Sequence, residues 1–185
     1  MSIPEHSAKT ATVLSQMGSF EQMFRQQYPF VCNVVFRYVS DKSKVEDIAQ
    51  EIFAELWMKK DTILIHTSLG AYLRRMAVSR ALNYIRDTKK YNWDELDLAS
   101  ETTHDSVYQE ATVIQNLEEA ELQQKLDVAI GKLPEKCRVV FMLSRQEELS
   151  YAEIGRQLNI SIKTVENQIG KALKLLRLAL ADSRG

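Results

Sequence analysis

Apolar residues at helical spacing, interrupted by caps and breakers, mark out most of this chain. The clearest run is Val45, Ile48, Ala49, Ile52, Phe53, Leu56 and Trp57, which keeps to an i, i+3, i+4, i+7 pattern without a miss. It predicts a helix opened by the capping box Ser43-Lys44-Val45-Glu46. Upstream, a second box, Ser19-Phe20-Glu21-Gln22, opens a short helix that Pro29 breaks or restarts; Val31, Val34, Val35 and Tyr38 then give an apolar face up to Ser40-Asp41. A loop with Asp61 and His66-Thr67 leads into a long helix from about Leu69 to Lys90. The rhythm dissolves between Asn92 and about Asn116. It returns with Leu117, Leu122, Leu126, Ala129, Ile130 and Leu133, is interrupted by Pro134, and resumes from Glu135 to Arg145, where Cys137, Val140, Phe141 and Leu143 are expected to be partly buried. Residues 1–18 show no such pattern and are expected to be a flexible tail.

The stretch Ser150–Arg177 is the most informative. Ser150 and Glu153 form a capping box, so a helix starts at Tyr151. Asn159 follows Leu158 and tolerates the left-handed conformation that a sharp stop needs. Ser161 can cap a second helix, whose Val165, Ile169, Ala172, Leu173 and Leu176 share one face. Gly155 costs about 1 kcal/mol relative to Ala mid-helix, which makes sense if two helices cross closely there. Lys163, Thr164, Glu166, Asn167 and Lys171 occupy the opposite, hydrogen-bonding face. An ordinary helical hairpin would also have a polar face. The coincidence of box, turn, cap and stripe favours a helix-turn-helix that reads DNA with its second helix.

Composition adds domain structure. Six Gly and three Pro favour helices. Residues 1–94 hold 13 Lys/Arg against 10 Asp/Glu, residues 95–124 hold eight acids and no base, and residues 125–185 hold 11 bases against 7 acids. Two mildly basic ends flank an acidic middle, as expected of two domains and a linker. Cys32 and Cys137 fit reduced core thiols. No segment reads as a secretion signal or a membrane span.

Two further faces invite partners. Glu46, Asp47, Gln50, Glu51 and Glu55 line the outer side of the Ser43–Lys60 helix, either as a solvated surface or as a dock for a basic partner; spacing alone favours the solvated surface. The Leu69–Lys90 helix carries Arg74, Arg75, Arg80, Arg86, Lys89 and Lys90 against Asp87, with Tyr72, Tyr84, Tyr91 and Trp93 interleaved or adjacent. Cations with aromatics suit single-stranded nucleic acid, and equally a core helix with inward tyrosines. His6, His66 and His104 are scattered without metal spacing, and there is no phosphate loop or nucleophile elbow. Neither catalysis nor a metal nor a cofactor is expected.

Taken together, VEDIAQEIFAELW (Val45–Trp57), the basic helix ending in LNYIRDTKK, the acidic linker, and LP-x-x-x-R-x-V-F (Leu133–Phe141) leading into the helix-turn-helix resemble bacterial RNA polymerase sigma factors. The likeness is to the two-domain extracytoplasmic-function (ECF) group of the sigma-70 family and spans about Phe20 to Leu180. It implies an all-α fold of two small helical domains: a region 2 domain at residues 19–91, an acidic flexible linker at 92–118, and a region 4 domain with the helix-turn-helix at 119–182.

The resemblance also implies roles. Asp47, Gln50 and Glu51, with Phe53 and Trp57, would bind core polymerase, which turns the acidic face into a docking surface for a basic clamp. Arg75, Ser79, Arg80, Asn83, Tyr84 and Arg86, with the loop before their helix, would capture unpaired bases of the −10 promoter element. Many relatives carry Asn where this chain has Ser79, which leaves the captured base open. Lys163, Thr164, Glu166, Asn167, Gly170 and Lys171 would read the −35 element as duplex. Glu166 is unexpected there, because it repels phosphate unless it meets a base or a neighbouring cation. The linker acids Glu95, Asp97, Glu101 and Asp105 would imitate RNA in the polymerase channel. Implied partners are core RNA polymerase, promoter DNA and an anti-sigma factor, which the group usually has, often membrane-bound. No small-molecule substrate is implied, and the expected location is cytoplasmic. A conventional helix-turn-helix regulator would explain residues 120–180 but not the first domain's faces, and a helical adaptor would show no DNA dependence.

Overall fold

Three helices form the first packing unit, in a computed structural model that describes residues 12–14, 18–88, 93 and 117–182. Helix α1 (Phe20–Phe36) runs through Pro29 without a break, contrary to the expected interruption. Pro29 sits on the exposed side, so the carbonyl it leaves unbonded one turn back faces solvent, while Val31, Cys32, Val34 and Val35 stay buried beneath. Ser19 makes no side-chain cap. Helix α2 (Lys42–Lys59) opens earlier than its sequence box suggests: the Asp41 carboxylate accepts the N–H groups of Ser43 at 3.0 Å and Lys44 at 3.3 Å. A carboxylate at this end also meets the positive pole of the helix. The predicted stripe is buried as far as Leu56, and Trp57 emerges at its edge.

Helix α3 (Leu69–Asp87) is capped by Ser68, whose hydroxyl accepts the Ala71 N–H at 3.2 Å. It lays Leu73, Ala77, Val78, Ala81, Leu82 and Ile85 against α1 and α2. Lys89 and Lys90 lie outside the described residues. A flexible tail over all of residues 1–18 is corrected at one point: Thr12–Val13 form a strand, β1, antiparallel to β2 (Leu64–Ile65), and Leu14 enters the core. Burial of the Leu14 side chain, together with the strand hydrogen bonds, favours this pairing.

In the second unit α4 (Leu117–Gly131), α5 (Glu135–Arg145) and α6 (Tyr151–Leu158) all pack on α7 (Ile162–Asp182). Pro134 serves as the N-cap residue of α5, where its missing N–H costs nothing. The acidic stretch with Glu95, Asp97, Glu101 and Asp105 lies outside the described residues.

The α6–α7 turn follows its local chemistry. Both hydrogen bonds of the Ser150/Glu153 box are present, and Asn159 closes α6 in the left-handed conformation at φ 55°, ψ 48°. Gly155 is required by the turn itself, not by a helix crossing: a Cβ there would stand 2.9 Å from the Ile160 carbonyl oxygen. That carbonyl cannot swing freely, since the Ile160 N–H is bonded to the Gly155 oxygen at 2.9 Å. Gly155→Ala therefore gains about 1 kcal/mol of helix propensity and loses roughly 1–3 kcal/mol to overpacking. The expected net is a loss, read as a lower urea midpoint of the full chain with unchanged slope.

Candidate nucleic-acid interface

A cavity of about 500 Å³ opens between β2 and the first half of α3. Leu64, Tyr72 and Met76 give it an apolar wall; His66, Thr67, Arg75, Ser79 and Arg80 supply hydroxyls, an imidazole and cations. The Arg75 guanidinium donates to Thr67 Oγ1 at 3.0 Å, which tethers the pocket loop to the helix. Arg80 pairs with Glu55 of α2, which also accepts from Lys59 at 2.7 Å. Hydrogen bonds from Lys59 and then Arg80 hold the Glu55 carboxyl below its ordinary pKa. An open, partly apolar cleft rimmed by donors can stack and hydrogen-bond a flat heterocycle while cations hold its phosphate.

The six candidate −10 residues are not gathered at one place. Arg75, Ser79 and Arg80 line this cavity. Asn83 and Arg86 hydrogen-bond to each other and lie in a second cleft of about 250 Å³, which Arg75 and Ser79 also border. Tyr84 is half-buried against the core. The sequence marks His66 and Thr67 only as loop residues before α3; nothing in their spacing assigns them to the site, and their place directly after β2 brings them into the cavity.

The outer face of α2 exposes Asp47, Gln50 and Glu51 in a row. Asp47 holds a surface ion pair with Lys44, at 2.9 Å. Trp57 is 52 % exposed, edge-on to Phe20 at 5.0 Å, with the Lys60 ammonium 3.5 Å from its ring centre. Phe53 is a correction: at 3 % exposure it cannot meet a partner, and it instead supports Phe24 edge-on at 5.0 Å. The α1 rings Phe24 and Tyr28 packed over it decide this.

At the start of α7, Ser161 accepts the Thr164 N–H at 3.0 Å, and the two hydroxyls lie 2.8 Å apart. Thr164 is consequently buried in the cap and leaves the reading face, a second correction. Glu166, Asn167 and Gly170 are exposed on that face, and Lys171 is half-buried. Lys163 lies 3.4 Å from Glu166 and supplies the neighbouring cation that an acid on a DNA face needs. The buried Gln168 faces inward and accepts from Cys137 Sγ at 3.1 Å.

Sequence reasoning missed the seam between the two units. The loop after α5 presents Gln146 and Glu147 to the first unit. Arg74 donates to Glu147 and to Gln146, each at 2.9 Å; Arg37 donates to Gln146 at 2.8 Å; and the buried Tyr38 hydroxyl donates to Glu147 at 3.1 Å. Burial, then the nearby Glu147 charge, pushes the Tyr38 phenol well above its ordinary pKa. Arg138, 3 % exposed, donates to the carbonyls of Arg37 at 3.0 Å and of Gly131 and Leu133 at 3.2 Å, and to Ser40 Oγ at 2.8 Å. Glu135 accepts the Ser40 N–H at 2.8 Å. Glu147 and Gln157 thereby stand in the second cleft, over Ser79, Asn83 and Arg86.

Comparison with known proteins places this architecture. The family model for sigma-70 region 2 matches residues 23–91, and that for sigma-70 region 4 matches residues 123–176. The ECF RNA polymerase sigma factor SigW of Bacillus subtilis is 30 % identical over 160 residues, 82 % of this chain and 83 % of its own. The chain belongs to the ECF group of the sigma-70 family. It is a sigma factor, acting in promoter-directed transcription initiation. The RNA polymerase sigma factor YlaC of the same organism is 27 % identical over 174 residues, 92 % of this chain and 97 % of that one. Among solved structures, the sigma factor RpoE of Bartonella quintana, in complex with the anti-sigma factor NepR, is similar at 19 % identity and a TM-score of 0.45, covering 88 % of this sigma factor and 96 % of that chain. Among its described residues, no helix is long and apolar enough to cross a membrane, and no group of three or more His, Cys, Asp or Glu could hold a metal ion.

Proposed function

We propose that this sigma factor binds core RNA polymerase through the exposed Asp47–Gln50–Glu51 row and Trp57, captures an unpaired −10 base in the cavity between β2 and α3, and reads the −35 duplex with Glu166, Asn167, Gly170 and the Lys163 and Lys171 cations. The observation that carries the reading is the cavity, which joins Arg75, Ser79 and Arg80 to His66 and Thr67 around one apolar wall. A base leaving the duplex loses stacking worth a few kcal/mol and needs a pocket of this kind to offset it. The protein contributes recognition and no catalysis of its own; it acts where the polymerase and promoter are, in the cytoplasm. An anti-sigma protein, as the resemblance implies, is a further partner of this proposal.

The test is transcription in vitro with core polymerase and this chain on promoter libraries. Randomised start-proximal and upstream elements should yield two separated conserved blocks. Initiation from core polymerase that shows no dependence on the chain would sink the reading.

The upstream face gives its own prediction. Asn167→Ala should cost about 1–3 kcal/mol at one base pair of the −35 element and little at the others. Lys171→Ala should weaken all sequences alike and flatten the salt dependence. Binding titrations against single-base-pair promoter variants read both, and a uniform Asn167→Ala effect would move the reading face elsewhere.

A further inference from the structure

The cavity's loop is held from outside by a segment far away in the chain. β1 pairs with β2 in a fixed register, Thr12 opposite Ile65 and Val13 opposite Leu64. The next residue extends the pairing, since the Leu14 N–H donates to the Ile63 carbonyl at 3.1 Å. Leu14 is 3 % exposed and Ile65 is 2 % exposed, so both side chains are driven into the core of the three-helix unit. Alternation along a strand then turns the neighbours of Ile65 to the other face. Those neighbours are Leu64 and His66, and both line the cavity.

We infer that residues 12–14 are a positioning element for the base pocket. They hold β2 in the register that sends Ile65 inward and Leu64 and His66 into the cavity, without touching the base themselves. The physical reason is the two-residue period of a strand. A slip by one residue exchanges its faces, which would withdraw Leu64 and His66 from the pocket and place Ile65 there. A two-residue strand has too few hydrogen bonds to keep its register alone, and a lone ribbon is marginal in water. Leu14 supplies the anchor: its buried side chain fixes where β1 lies, and β1 fixes β2. The Arg75–Thr67 bond ties down the far end of the same loop. The loop is thus clamped on both sides of His66. This inference rests on the reading of the cavity as the base site, and its test separates the two.

The experiment uses the full chain assembled with core polymerase on one promoter, with all four bases placed in turn at each −10 position. Two variants address the element: Leu14→Ala, which removes the anchor, and Thr12→Pro, which removes the N–H that the antiparallel register sets against Ile65 and leaves Leu14 in place. Hydrogen exchange at the Ile65 N–H, which the register turns toward Thr12, reports in the same samples whether the ribbon has been lost. Expected are unchanged affinity for core polymerase and for −35 duplex, with base discrimination at one −10 position reduced roughly tenfold, within the range for one lost base contact. Leu14→Ile, which keeps the anchor, should restore discrimination. A role in stability alone would lower the melting temperature without moving base preference. His66→Ala and Ser79→Ala serve as controls on the pocket. If these change base preference while loss of the ribbon does not, the positioning role is overturned and the pocket stands. If neither pocket variant changes it, the cavity is not the base site and both readings fall.

Discussion

The triple variant Asp47→Ala, Gln50→Ala, Glu51→Ala is expected to fold normally and to fail at assembly with core RNA polymerase. The three side chains are exposed, and the core of α2 is carried by Val45, Ile48, Ala49, Ile52, Phe53 and Leu56, which the variant leaves alone. Alanine is also the best helix former, so helix propensity does not fall. Within the protein the variant breaks the Lys44–Asp47 pair, an exposed bridge screened by solvent that adds little to stability. Against a basic partner the same groups would be desolvated and charge-paired. Central contacts of that kind cost about 2 kcal/mol or more each on truncation, about 6 kcal/mol for the three, so a loss on the order of ten-thousandfold in affinity is expected. Titration of labelled core polymerase measures it, alongside a thermal melt to check the fold. Affinity within a few-fold of wild type would remove this face from the proposal.

The second large effect lies at the seam. Gln146→Ala combined with Glu147→Ala removes the acceptors for Arg37, Arg74 and Tyr38 at once. Hydrogen bonds to charged groups contribute about 1.5–3 kcal/mol each when buried; the Arg74–Glu147 pair is partly open to solvent, so about 2–3 kcal/mol in total is a fair discount. The ratio of closed to open chains should then fall roughly fiftyfold. The residues removed are also those that stand over Ser79, Asn83 and Arg86, so the free variant should bind fork-junction DNA more tightly than wild type does. Small-angle scattering should show a larger radius of gyration for the variant, whose two units would be free to separate. An unchanged radius together with unchanged DNA binding would mean that Arg138 and Glu135 hold the seam by themselves.

What the sequence disclosed tracks how local each interaction is. The α6–α7 turn was legible because Ser150, Glu153, Asn159 and Ser161 act within a few residues of themselves. The same locality misleads at Asp41 and Ser43, two possible caps side by side, where the carboxylate prevails. Thr164 lies on the polar side of α7 by position, yet one hydroxyl contact with Ser161 buries it. Phe53 and Trp57 share a periodic stripe, and only packing by α1 separates the buried ring from the exposed one. The Arg74–Glu147 contact joins residues 73 positions apart, and no periodicity connects them. Arg138 did leave a trace: a guanidinium between Cys137 and Val139, on a helix otherwise buried there, demands buried acceptors.

Arg75 and Ser79 border both the base cavity and the cleft beneath Glu147 and Gln157. On the proposed reading, a substitution at either position would act twice, once on the promoter base captured and once on how readily the free chain closes. If Ser79 reads the −10 base, a change there would also alter how the free protein closes over Asn83 and Arg86 before it meets polymerase. Promoter preference and resting activity would then be coupled at these positions, with compensating changes expected across the seam at Glu147 and Gln157.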